Sequence, residues 1–371
     1  MSELIPITVA GVMLAFLSHV FSEYDPLRCR YRRKESFFYA ILVVVMVLFV
    51  GLRTGYNDTG TYQSIYEATP ASGSLFEGIN WEVGDNPGFH LTNRILRQLG
   101  FSTQSYLMFY AVITVSIPLW FYRKYSCDLA VTVFLFITFA GYTFTLAAIK
   151  QCMAMALSMI AVDRVLQKKY PAFLFWVLLA STYHAYALMY LLVPFLMFRP
   201  WSGWTVVMLG AFAVAGFIME SLMGTIIDIT DMLGENYTVE SFTGEGVHPL
   251  RLAAVSAPVL ISFMTRKNIA AENNRTNNLM LNLSMLNAEI MFVALFGTAN
   301  YFARLANYFL PFQAVAVPWL FTHFEPKSKK LITVVAAGCY IFFYIYSNAI
   351  KESFDQHFYS TTLWDYLVSL F

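Results

Sequence analysis

Four cations stand where an apolar chain has reason to avoid them. Arg53 follows the apolar run 37–52 in GLRTGYNDTGTYQSIY, Lys150 interrupts AAIKQCMA, Arg251 lies in HPLRLAA and Arg304 in NYFARLANYF. Charged side chains within or beside apolar spans are costly and usually functional. Arginine offers a planar fork that holds two phosphate oxygens at once, and lysine a compact point charge. The set therefore suits a phosphate or diphosphate. Two residues fit proton transfer. His184, in ASTYHAYAL, has an ordinary pKa near neutrality and suits general base work. Asp58, five residues after Arg53, is the second candidate, or alternatively a brace for a neighbouring cation. His90 and His248, in polar loops, rank lower. Tyr62 and Tyr66, one helical turn apart, offer ring faces to a sugar or anchors at a membrane interface. Glu82, in NWEVGDN, is a further acid. Asn300, Arg304 and Asn307 follow i, i+4, i+7 spacing and so share one helical face.

The elements that carry these groups are set by composition. Hydrophobic residues make up 58% of the chain and charged ones 13%, against about half and about a quarter in a soluble domain. The formal net charge of +1 argues against a nucleic-acid partner. Cys29, Cys127, Cys152 and Cys339 show no CxxC spacing, and with no HExxH, DxD or Cys/His cluster no catalytic metal or other cofactor is expected. A Gly-rich phosphate loop is absent, which argues against a nucleotide. The N-terminus lacks a basic stretch before its apolar run and reads as a retained anchor.

A membrane helix needs about 20 apolar residues. Runs at 4–21, 37–52, 106–122, 129–148, 151–166, 172–198, 204–223, 250–265, 279–296, 301–323 and 331–350 predict an all-α polytopic membrane protein of about 11–12 membrane helices, folded as a single domain over 1–371. The basic cluster RCRYRRK (28–34) places the first loop in the cytoplasm and the N-terminus outside. Later loops obey the same rule only if 172–198 enters from the cytoplasm, breaks and returns. Ser181, Thr182, Tyr183 and His184 interrupt that run near its middle. At about 1.5 Å per residue it is roughly 40 Å long, short for two full crossings, so a re-entrant or broken pair with His184 near its apex is predicted. Both termini and two long loops, 53–105 and the acidic 224–249, then lie outside, and NPGFHLTNRILRQLG within the first predicts an amphipathic interfacial helix. The four cations collect toward that outer face, at the depth of a lipid-linked diphosphate.

The blocks Arg53-x(4)-Asp58-x(3)-Tyr62, AIKQCMAMALSMI (148–160), ASTYHAYAL (180–188) and YFARLANYF (301–309), in that order, resemble the EpsG/Wzy-type bacterial polysaccharide polymerases. The resemblance implies a polymerase of undecaprenyl-diphosphate-linked repeat units in the bacterial inner membrane, with its active site on the periplasmic side. A GT-C-like architecture is expected, in contact with membrane lipid and a chain-length regulator protein; the absent metal motifs make the expected glycosyltransferase metal-independent, and in-line attack on the anomeric carbon would make it inverting. By motif match it singles out Arg53, Asp58, Gln151, His184 and Arg304. Lys150 departs from the family pattern, where arginine is typical, so the charge is kept and the fork is lost. Arg251 matches no motif and rests on topology. A flippase of lipid-linked sugars would want the same cations but should show internal repeats, of which the sequence has none. A ligase that hands finished glycan to another acceptor differs from a polymerase only through the resemblance.

Overall fold

Apolar surroundings leave backbone N–H and C=O groups no partner but one another, and helix is the result over most of the chain. The computed structural model describes residues 1–25, 30–139, 141–234, 246–296, 299–351 and 353–370, apart from the side chains of 24, 25, 30–33, 220, 299 and 300. These residues form two compact units, one of Met1–Lys124, Leu129–Leu188 and Tyr344–Phe371, the other of Tyr125–Asp128 and Met189–Phe343.

The first unit contains α1 (Leu4–Val20), a ribbon of β1 (Glu23–Asp25) and β2 (Arg30–Arg33), α2 (Phe37–Gly51), β3 (Arg53–Gly55), α3 (Thr59–Ala68), α4 (Pro87–Gln98), α5 (Thr103–Tyr125), α6 (Leu129–Thr138), α7 (Gly141–Ala147), α8 (Ile149–Leu166) and α9 (Tyr170–Ser181). Helix α1 packs on α2 and α6, and α8 pairs with α9. Lys124 at the end of α5 is ion-paired with the buried Asp163 of α8, which also accepts from Gln167 Nε2 at 2.7 Å. At the same end of α5, Arg123 lies 4.0 Å above the Tyr39 ring.

A 3-10 helix over Ala185–Leu196 follows α9. The second unit continues with α10 (Gly203–Phe217), α11 (Met219–Met232), α12 (Pro249–Met264), α13 (Arg266–Glu272), α14 (Arg275–Val293), α15 (Ala299–Asn307), α16 (Leu310–Phe321) and α17 (Pro326–Ile345). Its centre is α14, packed by α10, α12, α15 and α16. Asn274 caps that helix, accepting from the N–H groups of Thr276 and Asn277 at 3.0 and 3.2 Å. The chain returns to the first unit through a π-helical turn (Tyr346–Lys351), α18 (Phe354–His357), β4 (Tyr359–Ser360) and α19 (Leu363–Val368).

The helices are shorter than hydropathy predicts. Among the described residues two are long and apolar enough to cross a membrane, Thr103–Tyr125 and Pro326–Lys351, or up to four if each of two bent pairs is one span. The pairs bend by 49° between Leu129–Thr138 and Gly141–Ala147, and by 102° between Gly203–Phe217 and Ser221–Met232. Six other apolar helices have 10–17 residues, under the ~20 a lone crossing needs. Hydropathy averages over such breaks, and local chemistry makes them. The expected span 301–323 is split between α15 and α16, whose first turn holds Pro311; proline presets a helix start and donates no N–H to a preceding turn. The break inside 172–198 falls where the polar residues predict it. Ser181 and Thr182 hydroxyls donate to the carbonyls of Leu178 and Leu179 at 2.8 and 2.7 Å, ending α9. The segment beyond the break, Ala185–Leu196, is 3-10 rather than α, an unusually long run of that form. Helix α11 extends to Met232, into the segment expected as an acidic loop, and Glu235, Glu240 and Glu245 lie outside the described residues.

Candidate functional site

The organiser of the first unit's polar region is the amphipathic helix predicted after Asn86. Asn86 adopts φ 51°, which turns the chain, and Pro87 presets the first helical residue of α4. Its inward face buries Phe89, Asn93, Arg94 and Leu96, and Asn93 Oδ1 accepts from the Tyr110 hydroxyl at 3.2 Å. The start of α4 docks on the break that precedes His184. Gly88 N–H donates to the Thr182 carbonyl at 2.8 Å, and Thr92 Oγ1 lies 2.6 Å from the Tyr183 hydroxyl. A Cβ on Gly88 would stand 2.1 Å from Thr182 Oγ1 and 2.9 Å from Thr182 Cβ. Gly88→Ala is therefore expected to push α4 off the break and destabilise the protein by about 1–3 kcal/mol, read as a lowered thermal midpoint in detergent. Gly60→Ala in α3 meets open space and should leave the midpoint unchanged or raise it slightly. Equal midpoints for the two variants would remove α4 as the anchor of the break.

Lys150 reaches this helix, and Arg53 is buried at the start of β3. Lys150 Nζ lies 5.7 Å from the Phe89 ring centroid. It stands in the first turn of α8, not at a helix C-terminus, so the macrodipole disfavours it there and favours an anion beside it. The same ammonium adds to desolvation in lowering the pKa of His90, with Asp85 opposing. Arg53 is 1% exposed. Its Nη1 donates to the Val50 carbonyl at 2.6 Å, Nε donates to Thr59 Oγ1 at 3.3 Å, and Nη2 is buried without a hydrogen-bond partner among the described residues. Burial brings its pKa down to about 10, against the influence of Tyr106, Cys152 and Tyr62, so the group remains a cation at neutral pH. Cys152 is two residues beyond Lys150 on α8, which brings both cations to the head of that helix.

Several expectations for this region change. Asp58 is exposed at the head of α3, and no ion pair joins it to any cation among the described residues, so it stands there as a solvent-facing carboxylate rather than the expected brace. Tyr62 and Tyr66 do not present their faces to solvent. Tyr62 is buried against Phe89, and Tyr66 is stacked on Tyr106 at 4.2 Å, with its hydroxyl donating to the Phe101 carbonyl at 2.7 Å. Their i, i+4 spacing marks a core face as readily as a sugar platform. Glu82 is exposed, Gln151 is buried beside Lys150, and His184 is buried with its ring edge-on to Tyr186 at 5.0 Å.

In the second unit, Arg251 Nη2 donates to Asn307 Oδ1 at 2.9 Å, joining α12 to α15. Arg304 is exposed on α15, a short separate helix and not the interior of a span. The Asn300 side chain lies outside the described residues. His248 caps α12, its Nδ1 accepting from Leu250 N–H at 3.2 Å. An apolar cavity of about 240 Å³ lies among α10, α11, α14 and α15, lined by Leu192, Phe212, Met219, Leu286, Ile290 and Phe302, among others. Among the described residues, no three His, Cys, Asp or Glu side chains are grouped to hold a metal ion.

Two supports of Arg53 escaped the sequence reading. Gln104 Nε2 donates to the carbonyls of Gly51 and Arg53 at 2.6 and 3.1 Å. The C-terminal segment folds back over this end of α2. Strand β4 pairs antiparallel with β3, placing Ser360 opposite Arg53, and Thr361 N–H donates to Leu52 O at 2.8 Å. Phe354 and Phe358 pack against Tyr56 at 4.8 and 6.4 Å. The i, i+4 pair of phenylalanines was the visible signal, in a stretch too short and polar to register as a span.

No curated protein and no solved structure matches this sequence. The model of the EpsG family matches residues 36–363, a range that begins just before α2, contains all four cations and ends beyond β4; the chain belongs to the EpsG family.

Proposed function

We propose that the protein polymerises glycan repeat units carried on undecaprenyl diphosphate, at the outer face of the bacterial inner membrane. The observation that carries this reading is the family match over 36–363; family membership and apolar helices together describe a multi-pass membrane protein with a polysaccharide polymerase role. A hydroxyl of the incoming unit attacks the anomeric carbon of the growing glycan. The new C–O bond forms as the bond to the carrier diphosphate breaks, the electron pair stays with the diphosphate, and the hydroxyl proton passes to a base. In-line attack inverts the anomeric configuration. Charge builds on the departing diphosphate, and preorganised cations stabilise it by several kcal/mol.

In the first unit, Lys150 at the head of α8 and the unpartnered Nη2 of Arg53 are the proposed phosphate ligands, with Gln151 beside them. In the second unit, Arg251 and Arg304 are proposed to meet phosphate oxygens of a carrier, with Asn300 near them on α15. His184, held by the docking of α4 on the break, is the first choice of base, and the exposed Asp58 the second. Glu82 is the proposed glycan contact, a role that the burial of Tyr62 makes unsuitable for that ring. The apolar cavity of the second unit is the proposed berth for a prenyl segment, since its lining is wholly hydrocarbon and sulfur. A chain-length regulator is the proposed protein partner.

The test is the purified protein in lipid with one lipid-linked repeat unit and no nucleotide sugar. Lengthening of the lipid-linked glycan is expected. Movement of the unit across the bilayer without lengthening would replace this reading with a transporter, and delivery to a different acceptor with a ligase.

A further inference from the structure

A buried carboxyl that lacks any partner calls for a physical reason, because buried polar groups are almost always hydrogen-bonded. Glu289 is such a group. It is 4% exposed, and neither carboxyl oxygen has a hydrogen-bond partner among the described residues. It stands four residues before the end of α14 at Val293, one helical turn below it. Asn278 and Asn282 occupy the same face, since successive residues turn by about 100° and the three positions fall within about 40° of one another. Both amides are engaged through nitrogen. Asn282 Nδ2 donates to the carbonyls of Leu196 and Phe198, each at 2.8 Å, and Asn278 Nδ2 donates to Asn273 Oδ1 at 3.0 Å. Their oxygens are buried and unpartnered. The face is thus a row of acceptors with no donor, and what it calls for is protons, carried by water or by the carboxyl itself.

The helices around α14 supply no counter-charge to Glu289 among the described residues; α11, which shares a cavity with α14, adds only the acids Asp228 and Asp231 to the described side chains. Helices α10 and α16 carry no titratable side chain. Helix α12 carries Arg251, which is bonded to Asn307, and α15 carries Tyr301 and the exposed Arg304. In the 3-10 segment that meets Asn282, the Tyr190 hydroxyl donates to the Tyr308 carbonyl at 2.6 Å. None of these groups bonds Glu289. An unpaired carboxylate in such surroundings is expensive, and the group avoids that cost by holding a proton.

We propose that Glu289 is a proton-binding site, a carboxyl kept neutral in the resting protein that exchanges its proton through water along the face shared with Asn282 and Asn278. The proposal goes beyond the polymerase reading and does not depend on it. It is tested with dicyclohexylcarbodiimide on the full-length protein in lipid vesicles. This apolar reagent adds to a protonated carboxyl: the proton moves to a carbodiimide nitrogen, the carboxyl oxygen bonds to the central carbon, and nothing leaves. Peptide mapping should find the adduct on Glu289 in mildly acidic buffer and not in Glu289→Gln. The yield should fall at least about tenfold in alkaline buffer and should not change when sodium replaces choline at fixed ionic strength. Absence of the adduct at every pH overturns the proposal, as does labelling independent of pH. Protection by sodium overturns it in favour of a metal-cation site. If Glu289→Gln fails to fold, mapping of the wild-type protein still decides.

Discussion

Arg304→Ala should reduce glycan elongation by about 10²–10³-fold, the loss typical of removing one preorganised donor to a charged transition state. Folded yield and thermal midpoint should barely move. The side chain is exposed on α15, exposed substitutions usually stay within about 0.5 kcal/mol, and alanine suits a helix at least as well as arginine. Arg304→Lys separates charge from geometry, because lysine keeps the cation but loses the fork; it should recover part of the rate. Elongation is measured by the length distribution of lipid-linked product over time. A rate for the alanine variant within threefold of wild type, from protein of normal yield, would remove Arg304 from the phosphate ligands.

Arg53→Ala should cost both stability and rate. The side chain is among the largest that are fully buried, and its removal leaves a cavity and a Val50 carbonyl without its donor. Those two losses together are worth about 2–5 kcal/mol, enough to lower folded yield severely. The informative variant is Arg53→Lys, which retains a cation but puts its donors on one nitrogen, without the fork that spans Val50 and Thr59 and leaves Nη2 over. Elongation per folded molecule should fall more than about tenfold in Arg53→Lys if the unpartnered Nη2 meets a phosphate oxygen. Unchanged specific activity, with only the midpoint lowered, would make Arg53 a structural strut beneath the strand pair β3–β4.

Much of the chemistry was legible in single residues. Arg53, Lys150 and His184 stand out because each breaks an apolar run, and burial penalties make such breaks conspicuous. The amphipathic α4 was legible from its proline start and its periodicity, and the break from four consecutive polar residues, Ser181 to His184. The partners of these residues were not legible. Asp58 follows Arg53 by five positions yet faces solvent, while Cys152, far away in sequence, is among the arginine's electrostatic neighbours. Tyr62 and Tyr66 have the spacing of a stacking platform, but α4 and α5 cover them. Glu289 is not legible as unpaired in sequence, because one acid in an apolar run could be paired with any of the chain's cations; only packing shows that it has no partner among the described residues.

Composition and periodicity by themselves determined that the chain is helical, that it belongs in a membrane, where one of its helices breaks, and which ionisable residues are out of place, since each of these follows from local transfer energies and local backbone geometry. Tertiary structure decided which helices are long enough to cross alone, that a C-terminal strand closes over Arg53, that Lys150 heads a helix, and that the tyrosines serve the core. Those outcomes depend on contacts between residues distant in sequence, where packing and hydrogen-bond geometry outweigh the local preferences that a sequence displays.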